Sequence, residues 1–194
     1  MNRGLKILLV MVAALLIVCL CSCVAGYFLM QSFGQVLEQA ATNDPVEVAA
    51  VGDSIAEYQV PAGYHEEFGM SLFGFAVVGI TPAEGTRGNI IMLMQFPEFV
   101  GMDRQSMEEQ MRQSLQNHTS TEFSELEVVG QETVIIRDQN VTMTIYEGST
   151  SEGERVRQMI GVFEGNEGTT MLMIMGPADR WDQRATDGFI NSIR

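Results

Sequence analysis

Residues 7–30 carry no charged side chain, and that run limits the chain more than any other feature. As an α-helix its 24 residues would rise roughly 36 Å, enough to cross a hydrocarbon layer of about 30 Å with some tilt. Arg3 and Lys6 flank its start. The far side opens with Gln31-Ser32-Phe33-Gly34-Gln35 and no nearby basic residue. The positive-inside tendency then leaves residues 1–6 in the cytoplasm and everything after residue 30 outside it. Tyr27 and Phe28 lie near the outer end, where aromatic rings favour the interface. The expectation is a single-pass membrane protein with an extracytoplasmic domain.

Two other readings of the same segment stay open. Leu20-Cys21-Ser22-Cys23 resembles a lipobox, which would make Cys23 the lipidated residue, although residues 24–30 stay apolar where a polar linker is usual. Val24-Ala25-Gly26 offers small residues for cleavage of a secretory signal, although the apolar run is long for one. All three readings place the folded domain outside the cytoplasm.

Beyond the anchor the charge is one-sided. All 25 acidic residues follow position 37, against nine basic residues, all arginine. Such a surface repels nucleic acid phosphates and anionic lipid heads, so neither is expected as a partner. It suits a basic partner or divalent cations, and it also keeps a domain soluble. The three cysteines, Cys19, Cys21 and Cys23, all lie in the apolar run. The domain therefore has no disulfide, zinc–thiolate site or thiol nucleophile.

Residues 31–42 read as a juxtamembrane helix, with Phe33, Val36, Leu37 and Ala40 on one side. Asn43-Asp44-Pro45 reads as its break, and residues 43–52 as a linker. Together 31–52 are assigned to helix and linker, and 53–194 to the domain. Residues 54–60 form a short candidate strand closed by the turn Pro61-Ala62-Gly63. Residues 73–80 read as a strand ended by Thr81-Pro82. Residues 90–96 and 171–175 are apolar on nearly every position, which predicts two central strands covered on both faces. Residues 103–118 read as a helix, with Ser106 and Glu109 as a capping box and Met107, Met111 and Leu115 as an apolar stripe.

The second half reads as four hairpin-connected strands over 126–137, 141–146, 155–163 and 169–175, separated by turns rich in Gly, Asn, Asp and Ser. A closing helix is predicted after Pro177, with Asp179 as N-cap and Trp181, Ala185, Phe189 and Ile193 on one face. The fold class is α+β: an N-terminal transmembrane helix, then an antiparallel β-sheet domain packed with a middle helix and a C-terminal helix. The strand end Val60-Pro61-Ala62-Gly63-Tyr64, the middle helix, the meander and the closing Phe189-Ile190-Asn191-Ser192-Ile193-Arg194 resemble PsbP-like α/β/α sandwich domains, including the DcrB-like proteins of bacterial envelopes. That resemblance spans roughly 53–194 and implies a small accessory or binding domain. It assigns a role to no residue.

No catalytic, cofactor-binding or metal-binding residue is assigned. Gly52-Asp53-Ser54-Ile55 resembles the nucleophile block of GDSL-type hydrolases. That chemistry needs a histidine base, and His65 and His118 sit in no Asp-x-x-His setting. His65-Glu66-Glu67 resembles the start of a zinc motif but has Gly69 where a second histidine belongs, so a surface turn is expected. Met92 and Met94, with Met171, Met173 and Met175, alternate along single strands. Thioethers bind copper(I), and they also fill cores. The acidic turns 147–154 and 164–167 lack the aspartate spacing of a calcium loop. Asn117-His118-Thr119 and Asn140-Val141-Thr142 fit the glycosylation sequon, relevant only in a eukaryotic secretory route. The reading is a membrane-anchored accessory or binding domain with an envelope protein as partner. The alternative is a catalytic or metal-handling domain, using methionine-bound copper or carboxylates that converge only on folding.

Overall fold

A computed structural model describes residues 40–84, 88–97 and 123–194. The anchor at 7–30, the helix expected at 103–118 and the sequon at 117–119 lie outside the described residues. Among those residues no helix is long and apolar enough to cross a membrane.

The chain from Ala41 to Arg194 forms one compact unit, so the domain begins well before residue 53. Ala41–Thr42 is not helix but a short strand, β1, paired with Gly69 and Met70. The expected linker is an α-helix, α1, over Pro45–Ile55. The correction has a plain cause. Proline breaks a helix interior but suits its first turn, where its missing N–H has no partner to lose. Asp44 is the N-cap, and its Oδ1 accepts from the N–H groups of Val46 at 2.9 Å and Glu47 at 3.4 Å. The helix consumes residues 54–55, so the strand expected over 54–60 is absent. In its place Glu57 and Arg194 exchange two backbone hydrogen bonds.

Seven further strands follow: β2 (Tyr64–Leu72), β3 (Phe75–Pro82), β4 (Ile90–Pro97), β5 (Phe123–Ile136), β6 (Gln139–Thr150), β7 (Arg155–Glu164) and β8 (Gly168–Pro177). All pair antiparallel in one sheet of order β1-β2-β3-β4-β8-β7-β6-β5. It is two meanders, β2-β3-β4 and β5-β6-β7-β8, joined where β4 meets β8. The two strands that are apolar throughout are thus the middle pair, as expected. Two hairpins turn in two residues each: Phe73-Gly74, with φ of 52° and 81°, and Arg137-Asp138, with φ of 50° and 60°. Positive φ at both central positions is the type I′ geometry that matches strand twist.

One sheet face carries the helices. Val78, Ile80, Ile91, Leu93, Leu172, Ile174, Met143 and Phe163 are buried there with Val48 and Ile55 of α1. Gly69 lets α1 approach closely: a Cβ there would stand 3.2 Å from Val48 Cα. A second helix, α2, spans Gln183–Ser192 and buries Ala185, Thr186, Phe189 and Ile190. Its N-cap is Asp182, whose Oδ1 accepts from Ala185 N at 2.9 Å. Asp179 instead lies within a 3₁₀ turn, Ala178–Arg180, that takes up the chain leaving β8. Trp181 therefore precedes the helix and lies beneath the Arg157 guanidinium, 5.6 Å from its ring centroid.

Candidate functional site

Three clusters of side-chain hydrogen bonds stand out among the described residues. In the first, Tyr58 follows α1 and packs its ring 5.3 Å from that of Phe189. Its hydroxyl donates to Glu66 Oε1 on β2, in the space a side chain at Gly52 would fill. Burial, then the bond to Glu66, push the Tyr58 hydroxyl far above the usual phenol range. A phenol so held is a donor fixed in its neutral form.

The second cluster ties the start of β4 to α2. Asn89 is fully buried. Its Nδ2 donates to Asp182 O at 3.1 Å and Thr186 Oγ1 at 2.9 Å, and its Oδ1 accepts from Asp182 N at 3.2 Å. Its backbone N–H donates to Tyr64 Oη at 3.1 Å. Burial raises the Tyr64 hydroxyl above its ordinary value, against the lowering effect of the Asn89 N–H. Every polar atom of the Asn89 side chain is used, which is how a buried amide avoids the desolvation cost.

The third cluster lies on β6 and β7. Arg157 donates to Glu147 Oε1 through Nε at 2.9 Å and Nη2 at 2.6 Å, and Arg155 Nη2 donates to Oε2 at 2.9 Å. These bonds, Arg157's first, hold the Glu147 carboxyl below its usual value. Pairing of Glu147 with Arg157 also carries the ladder beyond the expected break at 147, and the turn falls at 151–154.

The residues singled out in the sequence do not converge. Ser54 lies in the last turn of α1 and donates its hydroxyl to Val51 O at 2.6 Å. Asp53 O accepts from Asn166 Nδ2 at 3.0 Å. Both bonds serve local structure, and His118 lies outside the described residues. His65, Glu66 and Glu67 are not a turn: they stand on β2, with His65 Nε2 against Glu67 Oε2 and Glu66 directed to Tyr58. The break in register between Glu66 and Phe68 hides this strand from period-2 alternation. The 164–168 turn packs on the end of α1, Asn166 N donating to Ile55 O at 2.9 Å and Glu167 N to Gln95 Oε1 at 3.2 Å. Beneath it Gln95 Nε2 and Thr170 Oγ1, on cross-strand partners, are buried without a hydrogen-bond partner among the described residues.

The methionines do converge. Met92 pairs across strands with Met173, and Met94 with Met171, and Met175 follows on the same side of β8, so these five thioethers share the sheet face opposite α1 and α2. Gln158 Nε2 lies 2.7 Å from Met173 Sδ. Among the described residues no group of three or more His, Cys, Asp or Glu side chains could hold a metal.

One more feature was not legible in the sequence. Strand β5 is a sheet edge of 14 residues, and it exposes Val128, Val129 and Ile135. Ile136 and Gln139 flank a type I′ turn and so bond to each other. Ile136, Val134 and Glu132 therefore point their backbone groups at β6, while Gln131, Thr133 and Ile135 point theirs outward. An edge of this kind can accept an extended segment of another chain.

Compared with known proteins, the chain matches no family model and no curated sequence.

Proposed function

We propose that this protein is a membrane-anchored extracytoplasmic accessory domain that binds an extended segment of a partner envelope protein along β5. Residues 7–30 hold it in the membrane, and the acidic surface favours a partner segment that is basic as well as β-branched. The reading rests on the β5 edge: outward backbone groups at Gln131, Thr133 and Ile135 beside exposed Val128, Val129 and Ile135. The interior polar clusters support it, since Tyr58, Glu66, Asn89 and Asp182 bond to one another or to the backbone.

The test is crosslinking and capture of the full-length protein from its own membrane, read by mass spectrometry. Thr133→Pro removes an N–H that β6 does not use, so the fold should stand. A partner captured by the wild type and lost with Thr133→Pro is the expected result. Equal capture by the variant, or by the anchor alone, would overturn it. A second reading rests on the facing pairs Met92/Met173 and Met94/Met171, which could hold copper(I). No binding by the full-length protein at micromolar copper(I) would end that reading.

A further inference from the structure

Phe73 breaks two rules at once. It is 74% exposed, and it holds a φ of 52° as the first central residue of the β2–β3 hairpin. A type I′ turn favours asparagine, aspartate or glycine at that position, and a bulky side chain at positive φ is strained. The fold would be better served by a smaller residue. Strain of this kind marks positions kept for something other than stability.

The ring stands on an apolar base. Leu72 and Phe75 flank the turn as cross-strand partners, and Phe75 meets Phe96 of β4 edge-on, with 5.4 Å between ring centroids. No residue from 68 to 83 is charged, so the hairpin tip is a neutral corner on an acidic domain. The acidic turn at 164–168 lies at the same end of the sheet but three strand spacings along it, roughly 14 Å. The Arg137-Asp138 turn is farther still.

Strand direction relates this corner to the way the chain enters. Strand β1 is antiparallel to β2, with Ala41 opposite Met70 and Thr42 opposite Gly69. Stepping back from Thr42 to Ala41 therefore leads toward Leu72, so the chain enters the domain from the Phe73 end of the sheet. Ten residues, 31–40, join the uncharged run 7–30 to β1. Fully extended, they would span no more than about 36 Å. A membrane that holds the run is thus within reach of this end of the sheet.

We infer that the Phe73-Gly74 hairpin tip is a second membrane contact, with Phe73 seated in the headgroup interface of the bilayer that carries residues 7–30. The surface it takes is one of zwitterionic lipid, since the domain's net charge repels anionic headgroups. Phenylalanine and leucine are among the side chains that enter that layer. One ring binds weakly by itself, and the tether supplies the effective concentration that makes a weak contact count. The inference rests on the reading of 7–30 as an anchor. It is independent of the β5 edge, which lies at the other side of the sheet.

Tryptophan quenching in vesicles tests it. The chain has one tryptophan, Trp181. Strand β8 starts beside Pro97, at the Phe73 end, and runs away from it to Pro177, so Trp181 marks the opposite end and serves as the internal reference. Full-length wild type and Phe73→Trp are reconstituted in phosphatidylcholine vesicles, with and without bromine on the upper acyl chain, and floated on a density gradient. Emission from residue 73 should fall about two-fold with the brominated lipid, as for a ring roughly 5–10 Å into the interface, while Trp181 emission stays unchanged. Phe73→Asn should melt no lower than the wild type, because asparagine suits the turn; a lower midpoint would assign Phe73 to the fold and overturn the inference. Protein that floats with the vesicles but is unquenched at residue 73 would overturn it and leave the anchor standing. Protein that does not float would overturn both. Equal quenching at Trp181 would also overturn it, as would shielding of residue 73 from acrylamide without lipid quenching, which would make a second copy the occupant.

Discussion

At the scale of single residues, Tyr58 shows how a polar group becomes part of the frame. Its ring leans on Phe189, its hydroxyl fills the space above Gly52, and Glu66 Oε1 accepts the hydrogen bond that the hydroxyl donates. Its hydroxyl titrates higher in the folded state than in the unfolded chain, because burial and then Glu66 oppose the phenolate. The stabilisation is therefore complete below the unfolded value near pH 10 and is lost as pH rises above it. Above that point the unfolded chain gains by ionising and the folded one does not, at about 1.4 kcal/mol per pH unit. Tyr58→Phe should cost about 0.5–1.5 kcal/mol at neutral pH and remove this part of the alkaline loss. Tyr64 is raised as well but is present in both proteins, so it cancels. Urea unfolding at pH 8 and just above pH 10 measures both effects. Equal alkaline losses in the two proteins would show that the hydroxyl ionises as freely folded as unfolded.

At the scale of elements, the outcome turned on how far local signals compete with tertiary ones. The β4 and β8 segments were legible as the middle of the sheet because both of their faces are apolar. The second-half meander was legible because each turn is marked by Gly, Asn, Asp or Ser, although the Arg137-Asp138 turn and the Glu147 pairing moved its boundaries. Helix α1 was misread because Pro45 marks a helix start as readily as a stop, and only the Asp44 carboxylate decides between them. Asp44→Ala should therefore lower stability by about 1 kcal/mol in thermal unfolding, and an unchanged midpoint would remove Asp44 from this role. Strand β2 was missed because its bulge breaks the alternation. The β5 edge was invisible for a different reason. Whether a strand is central or peripheral is a property of sheet order, which no local pattern records, and the methionine pairs depend on cross-strand register in the same way.

At the scale of the whole molecule, the two meanders meet at β4 and β8, and the helix-face core spans both. Helix α2 has only ten residues, too few to persist alone in water, so its packing must hold it. Phe189 is fully buried among residues of that core, and it also backs Tyr58. Trp181 lies outside the helix, partly exposed and covered by Arg157. The two aromatics are therefore unequal, though spacing alone placed them on one stripe. Phe189→Ala should cost about 3–5 kcal/mol, a large share of the roughly 5–15 kcal/mol that holds a domain of this size. Trp181→Ala should cost less, because a part-exposed ring gives up less buried area and leaves no closed cavity. Denaturant unfolding of both variants reads the difference directly. A larger loss at Trp181 than at Phe189 would mean that the 3₁₀ turn, rather than α2, fastens the helix face to the sheet.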